Sequence, residues 1–235
     1  MTSTIYQHGT LGLLVPGLFT GTITAAELLQ HGDTGIGTLE GLNGEVIILD
    51  GHAYQAREDG AIREIAATEK LPFASVHFED DTATTPLTNL TQAAFEQQLL
   101  TEHQLQNVFA GVRIDGTFTH IKTRVAPKQV QPYPTLVEAT AKQPEFVGDN
   151  VTGTIIGYYA PQLFQGATVG GFHLHFLSTD HQLGGHLLGF EIDHADLKLQ
   201  SFADFQVHLP IDNADYRQTQ FDNQTIDSAI NTAER

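Results

Sequence analysis

Gly35-Ile36-Gly37-Thr38-Leu39-Glu40-Gly41-Leu42-Asn43-Gly44-Glu45-Val46-Ile47-Ile48-Leu49-Asp50-Gly51-His52-Ala53-Tyr54-Gln55 alternates short apolar runs with glycine turns. Gly35 to Leu39 and Glu45 to Leu49 read as two strands, with Asn43-Gly44 as a strong turn signal between them. Val46-Ile47-Ile48-Leu49 is a continuous apolar run, the pattern of a buried strand. Asp50-Gly51 supplies the next turn, and His52 to Gln55 starts a third strand. Short strands joined by glycine turns argue for an antiparallel or mixed sheet.

The same texture extends in both directions. Tyr6 to Leu14 is apolar but broken by glycine. Gly21 to Leu29 reads as a short helix, with Thr24 and Glu27 spaced as a capping box and Gly32 as its stop. Ala74 to Phe78 is a strand and Thr91 to Leu100 a helix. Val108 to Ile114 and Thr117 to Arg124 read as a strand pair around Asp115-Gly116. In the second strand, Phe118, His120 and Lys122 share one face and Thr119, Ile121, Thr123 and Val125 the other. Pro127 to Pro134 breaks the pattern, Leu136 to Ala141 is a short helix, and Gln143 to Asn150 is a loop. Val151 to Tyr159, Gly171 to Ser178, His186 to Ile192, Lys198 to Phe202 and Phe205 to Leu209 are strands. Asn213 to Arg235 is a polar tail with few apolar positions.

Such spacing leaves little room for crossover helices. The expected class is α+β, with mixed and antiparallel sheets and a few helices, rather than a doubly wound fold. A boundary between Pro127 and Asn150 would separate an N-terminal mixed-sheet domain, residues 1–130, from a C-terminal sheet domain, residues 131–235. There is no GxGxxG, no P-loop and no GxSxG.

The 235 residues include no cysteine, which excludes disulfides, thiolate metal sites and cysteine nucleophiles. A formal charge of -17 repels phosphate backbones, so nucleic acid is not an expected partner. An anionic substrate would need a local positive site. Met1 to Gly12 has no pattern of a secretory signal, and no stretch has the length and apolarity of a membrane span. The expected location is the cytoplasm.

Gly170-Gly171-Phe172-His173-Leu174-His175-Phe176, followed by His186, carries the chemistry. Histidines at i and i+2 of a strand point to one face. The polar connection Ser178 to Gly185 can fold His186 back beside them. Three neutral imidazoles suit a catalytic zinc with an open position, and nitrogen and oxygen donors also admit iron, manganese or nickel. Spacing leaves the third ligand open, because His181 lies in the connection and His194 follows it. Glu45, just after a turn, is either an edge residue in water or a buried acid or base. Arg124 fits a carboxylate with its guanidinium fork, in competition with Lys122 and Arg113.

Taken in order, these motifs resemble the acetolactate decarboxylase family over almost the whole chain. The resemblance runs through Ile5-Tyr6-Gln7-His8-Gly9-Thr10, Gly35-Ile36-Gly37-Thr38 and Leu42-Asn43-Gly44-Glu45. It continues through Phe109 to Gly116 and Lys122-Thr123-Arg124, and is most specific at Gly170 to Phe176 with Gly185-His186. It implies a two-domain fold with the metal between sheets, commonly dimeric, so that a homodimer is expected. The implied reaction turns (S)-2-acetolactate, a small anionic α-hydroxy β-keto acid, into (R)-acetoin and carbon dioxide with Zn2+. The implied metal ligands are His173, His175 and His186. The implied catalytic residues are Arg124, Glu45 and Glu234, and Thr38 matches a pocket residue. In that chemistry, loss of carbon dioxide leaves a metal-stabilised enediolate, which a glutamate protonates on one face. The rival readings are a cupin-like metal-dependent oxygenase or isomerase acting on a small keto or hydroxy acid, and a non-enzymatic acidic binding module. For the cupin-like reading, Asp180 is the nearest stand-in for that family's glutamate.

Overall fold

The computed structural model describes residues 4–234. β1 (Thr4–His8) leads into the one-turn helix α1 (Leu11–Leu14), and β2 (Ile23–Thr24) into α2 (Ala25–Leu28). β3 (Thr34–Thr38), β4 (Glu45–Leu49), β5 (His52–Ala56) and β6 (Ile62–Glu64) form a meander. β7 (Lys70–Leu71), β8 (Phe73–His77) and β9 (Thr85–Thr91) precede α3 (Gln92–Glu102). The long β10 (Phe109–Arg124), the helix α4 (Leu136–Thr140) and the long β11 (Glu145–Ala160) come next. β12 (Gly171–Ser178), β13 (Gly184–Phe202) and β14 (Asp204–His208) end the strands, before α5 (Ala214–Gln218) and α6 (Asn223–Ala233).

Two large sheets result, and the class is α+β with mixed sheets, as the turn pattern predicts. One is open, with seven strands in the order β14-β1-β8-β3-β4-β5-β6. Among the described residues only the β1–β14 pair is parallel in it. The other runs β10-β11-β12-β13-β9, and a further β10–β13 pairing closes four of its strands into a barrel. Strands from both sides of residue 130 enter each sheet, because β9 and β10 join the five-stranded sheet and β14 returns to the open sheet.

Period-2 alternation then distributes the side chains. Leu174 and Phe176 fill the barrel interior with Ile114, Phe118, Ile121 and Ile155. Phe118 and Phe176 meet edge-to-face at 5.6 Å, and burying each ring contributes roughly 2–3 kcal/mol. Leu177, on the outer face, joins Val125 and Ile156 against Ile36 and Ile47 of the open sheet. That second layer is the floor between the sheets. A third cluster gathers Leu11, Leu14, Leu42, Leu136 and Ile230, and roofs one end of the floor.

Several expectations require correction. The β3–β4 link spans residues 39–44, one residue longer than read because β3 ends at Thr38, and its positive φ values fall at Gly41, Leu42 and Gly44. The capping box of Thr24 and Glu27 is present, but α2 ends at Leu28. Gly32 is instead required by a close approach, since a Cβ there would lie 2.5 Å from the His77 nitrogen. Asp115-Gly116 is not a turn, and β10 runs straight through it. Gly116 lets β13 approach, because a Cβ would lie 2.4 Å from that of Ala195. Register shifts around Phe118 break the predicted alternation, so that Phe118 and Ile121 both turn inward. Residues 145–149, read as loop, pair with β10 as the start of β11. The two strands expected within 186–202 are one, and the polar tail contains α6.

Candidate metal centre

The barrel supplies three histidines through its register. His173, His175 and Leu177 alternate outward from β12, opposite the inward Leu174 and Phe176. His186 of β13 is the direct cross-strand partner of His175. The hairpin that sets this pairing closes on Ser178, whose Oγ accepts from the Gln182 and Leu183 amides and donates to Asp180. On the other side of β13, His186 is paired with Arg124 of β10. A register shift after Lys122 and the glycine at 185 make that pairing possible. A Cβ on Gly185 would lie 2.6 Å from the Arg124 carbonyl oxygen. Gly157 does the same for His173, whose carbonyl oxygen would be 2.1 Å from an added Cβ.

The three rings stand 5.3, 5.0 and 5.6 Å apart, centroid to centroid, and offer ligand atoms within 4.8 Å of one another. His175 Nδ1 donates to the Val46 carbonyl at 3.0 Å, which leaves Nε2 as the lone-pair nitrogen. That Nε2 is buried without a hydrogen-bond partner. Burying a polar atom unpaired is unfavourable, and a metal ion satisfies it. A carbonyl holding the far nitrogen is the usual support for a ligating imidazole. Burial, reinforced by the Arg124 charge, lowers His173 to about 4. Burial holds His175 and His186 well below the ordinary imidazole value, helped by their neighbouring rings and Arg124. All three are neutral at neutral pH, which is the form that binds a metal.

The open sheet brings the first carboxylate. Glu45 and Ile47 share the barrel-facing side of β4. Glu45 Oε1 accepts from the Ala126 amide at 3.0 Å, and Oε2 lies 3.5 Å from His175 Nε2. Glu234 caps the C-terminal end of α6, with Oε2 3.6 Å from His173 Nε2 and 3.8 Å from His186 Nδ1. Burial raises both carboxyls to about 7. For Glu45 the Ala126 amide opposes that rise, and for Glu234 the Arg124 charge does. Arg124 Nη2 donates to the Ala233 carbonyl at 2.6 Å and lies 3.4 Å from His186 Nε2. Thr38 lines the same space, with its hydroxyl donating to the Gly44 carbonyl at 2.8 Å.

All seven residues singled out from the sequence therefore border one cavity of about 50 Å3. One water needs roughly 10–15 Å3 of such space, so the cavity takes a small ligand and no more. The competitors lie elsewhere. His181 packs on Tyr54, and exposed His194 pairs with Asp193. Lys122 pairs with Glu145, and Arg113 is held by Asp50, Glu79 and Asp115. Residue reading missed the apolar wall of Leu11, Leu14, Leu42, Phe73 and Leu136, which looks like ordinary core in a sequence. It also missed the Val46 carbonyl and Ala126 amide, backbone groups that leave no compositional trace. A larger cavity of about 490 Å3 lies beyond α1, bordered by Leu13, Tyr133 and Tyr216. It holds none of the converging histidines, so size does not decide the site.

The profile of the alpha-acetolactate decarboxylase family matches residues 5–223. The chain is 35% identical over 231 residues to the alpha-acetolactate decarboxylase of Lactococcus lactis subsp. cremoris, covering 98% of each. A Staphylococcus aureus protein described as of unknown function and similar to alpha-acetolactate decarboxylase superposes with a TM-score of 0.95. It shares 41% identity, over 98% of this chain and 100% of that one. The alpha-acetolactate decarboxylase structure from Bacillus subtilis gives 0.94 at 33% identity, over 98% and 99% of the two chains.

Proposed function

Because the chain belongs to the alpha-acetolactate decarboxylase family of carboxy-lyases, we propose that it converts (S)-2-acetolactate to (R)-acetoin and carbon dioxide, with zinc held by His173, His175 and His186. The observation that carries this reading is the buried, unpaired Nε2 of His175, converging with two neutral imidazoles beside one arginine and two carboxyls. A bound zinc would supply Lewis-acid charge to substrate oxygens as carbon dioxide departs.

The rest of the chemistry falls to side chains. Among the described residues Arg124 is the cation at the cavity, in a chain of net charge -17, and its guanidinium orients the substrate carboxylate. Its catalytic benefit comes from charge that develops in the transition state, since tight ground-state binding alone adds nothing to kcat. Departure of carbon dioxide leaves an electron pair on the α carbon, delocalised over the adjacent ketone as an enediolate. A proton must then reach that carbon from one side. Glu45 is fixed by Ala126 on the open-sheet side of the cavity, and Glu234 hangs from α6 on another. We assign the proton to Glu45, because a carboxyl anchored through one oxygen presents the other in a single direction. Thr38 stiffens the link to Glu45 through the Gly44 carbonyl. A cytoplasmic homodimer belongs to this reading on the strength of the family resemblance alone. Among the described residues, no helix is long and apolar enough to cross a membrane.

The test is anaerobic incubation of metal-quantified protein with racemic acetolactate, scored by chiral detection of acetoin. The expected result is rapid formation of one acetoin enantiomer, stopped by a chelator and restored by zinc. Metal-loaded protein that leaves acetolactate untouched would overturn the proposal.

A further inference from the structure

The cavity is lined by two unlike kinds of side chain. Imidazoles, Arg124 and the carboxyls form one, and Leu11, Leu14, Leu42, Phe73 and Leu136 form the other. Among these five apolar residues Leu42 alone has left-handed backbone, with φ at 49°. That region is uncommon for a residue other than glycine, asparagine or aspartate, and it persists only where the surroundings enforce it.

The enforcement is visible. The loop between β3 and β4 is pinned from several directions. The Gly41 amide donates to Phe19, and the Gly41 carbonyl accepts from the Gln129 amide, at 2.8 and 2.7 Å. The Gly44 amide donates to Ala126 at 3.1 Å, and its carbonyl accepts from Thr38 at 2.8 Å. Gln55 Nε2 donates to the Asn43 carbonyl at 2.5 Å. Leu42 itself is only 4% exposed. Its side chain is thus set against the cavity by a backbone that has no freedom to retreat. Three residues on, the same piece of chain carries Glu45.

We infer that Leu42 is the specificity-determining residue of the site, whose side chain limits the alkyl substituent of the bound α-hydroxy β-keto acid. The inference rests on the decarboxylase reading and deepens it. A substrate with a longer substituent presses on a wall continuous with the Glu45 anchor, so misfit displaces the proton donor as well as crowding the pocket. The methyl substrate leaves both in place.

The experiment is a competition between 2-acetolactate and its ethyl homologue, 2-aceto-2-hydroxybutyrate, in one mixture, reading the ratio of the two hydroxyketone products. That ratio does not depend on how much of a variant is folded or metal-loaded. Leu42→Ala is expected to raise the ethyl-to-methyl ratio of kcat/KM about tenfold or more, the scale on which a pocket reads one methylene. Leu42→Gly suits the left-handed backbone and should give the same rise, which covers the case in which the alanine variant folds poorly. Leu13→Ala removes a buried side chain bordering the other cavity, and is expected to move the ratio less than about twofold. An unchanged ratio in both Leu42 variants, or an equal rise in Leu13→Ala, overturns the inference. If the unaltered protein decarboxylates neither substrate, the decarboxylase reading itself falls, which is a different outcome from an active protein with an unmoved ratio.

Discussion

The open sheet and the closed barrel border the same cavity but are built by different means. The sheet around Glu45 is made of short strands, and its shape follows from turns such as Asp50-Gly51, where a Cβ would meet nothing within 4 Å. The barrel is made of three strands of 16 to 19 residues and the eight-residue β12, and most of its glycines sit inside the strands, pressed against neighbours. In the sheet, glycine bends the chain between strands, and only the central β3 also uses it for approach, where Cβ atoms on Gly35 and Gly37 would lie 2.1 and 2.7 Å from Ser75 and Ala74 of β8. In the barrel, it serves to let strands approach, and the register so fixed sets His175, His186 and Arg124 side by side. The lesson is a division of labour: the barrel collects donors and a cation, and the sheet contributes the anchored acid.

The largest expected effect breaks the barrel's half. His175→Ala should abolish zinc binding, and turnover should fall by more than the ~10–100-fold seen when only an outer partner of a ligand is lost. Metal analysis beside the acetoin assay checks this, and full zinc occupancy would remove His175 from the ligand set. The sheet's half should fail differently. Glu45→Gln is expected to keep its zinc while kcat drops roughly 10²–10⁴-fold and acetoin loses enantiomeric purity. Unchanged rate and chirality would take the proton away from Glu45.

Smaller effects test the two uses of glycine. Gly157→Ala, at φ 155° against the His173 carbonyl, should cost about 3 kcal/mol in denaturant unfolding. Gly51→Ala, strained but unobstructed, should cost about 1 kcal/mol. Equal costs would erase the distinction between turning and approaching glycines. A pH-dependent effect concerns the β1–β14 end of the sheet. Burial and the neighbouring His208 lower His8 to about 4. Between its ordinary value near 6.5 and 4, the unfolded chain binds a proton that native His8 refuses, so stability falls as pH drops through that window. In His8→Gln, the stability difference between pH 7 and pH 5 should shrink by about 2 kcal/mol. A remaining slope is expected from His77, which burial also lowers to about 4.

The same contrast explains what the sequence disclosed. Turn chemistry is local, so the strands around residues 35–55 and the capping box at Thr24 can be found from neighbours along the chain. Approach chemistry is not local. Gly116 means closeness to Ala195, and nothing near Asp115 says so. The i, i+2 histidines announced their shared face, yet only the pairing of His175 with His186 separates the latter from His181 and His194. Glu234 was placed by resemblance, since the sparse apolar positions of α6, Ile226, Ala229, Ile230 and Ala233, do not stand out in a polar tail.

The parallel pairing of β1 with β14 joins residues 200 positions apart. During synthesis the first strand of the open sheet emerges early, and the strand that covers its outer edge emerges after the whole barrel. Until then Thr4–His8 presents bare backbone donors and acceptors, a template on which another nascent chain can dock. Contacts of such long range also delay the rate at which the sheet closes. The exposure of this edge to aggregation therefore lasts until β14 arrives, and a chaperone that shields Thr4–His8 would cover it.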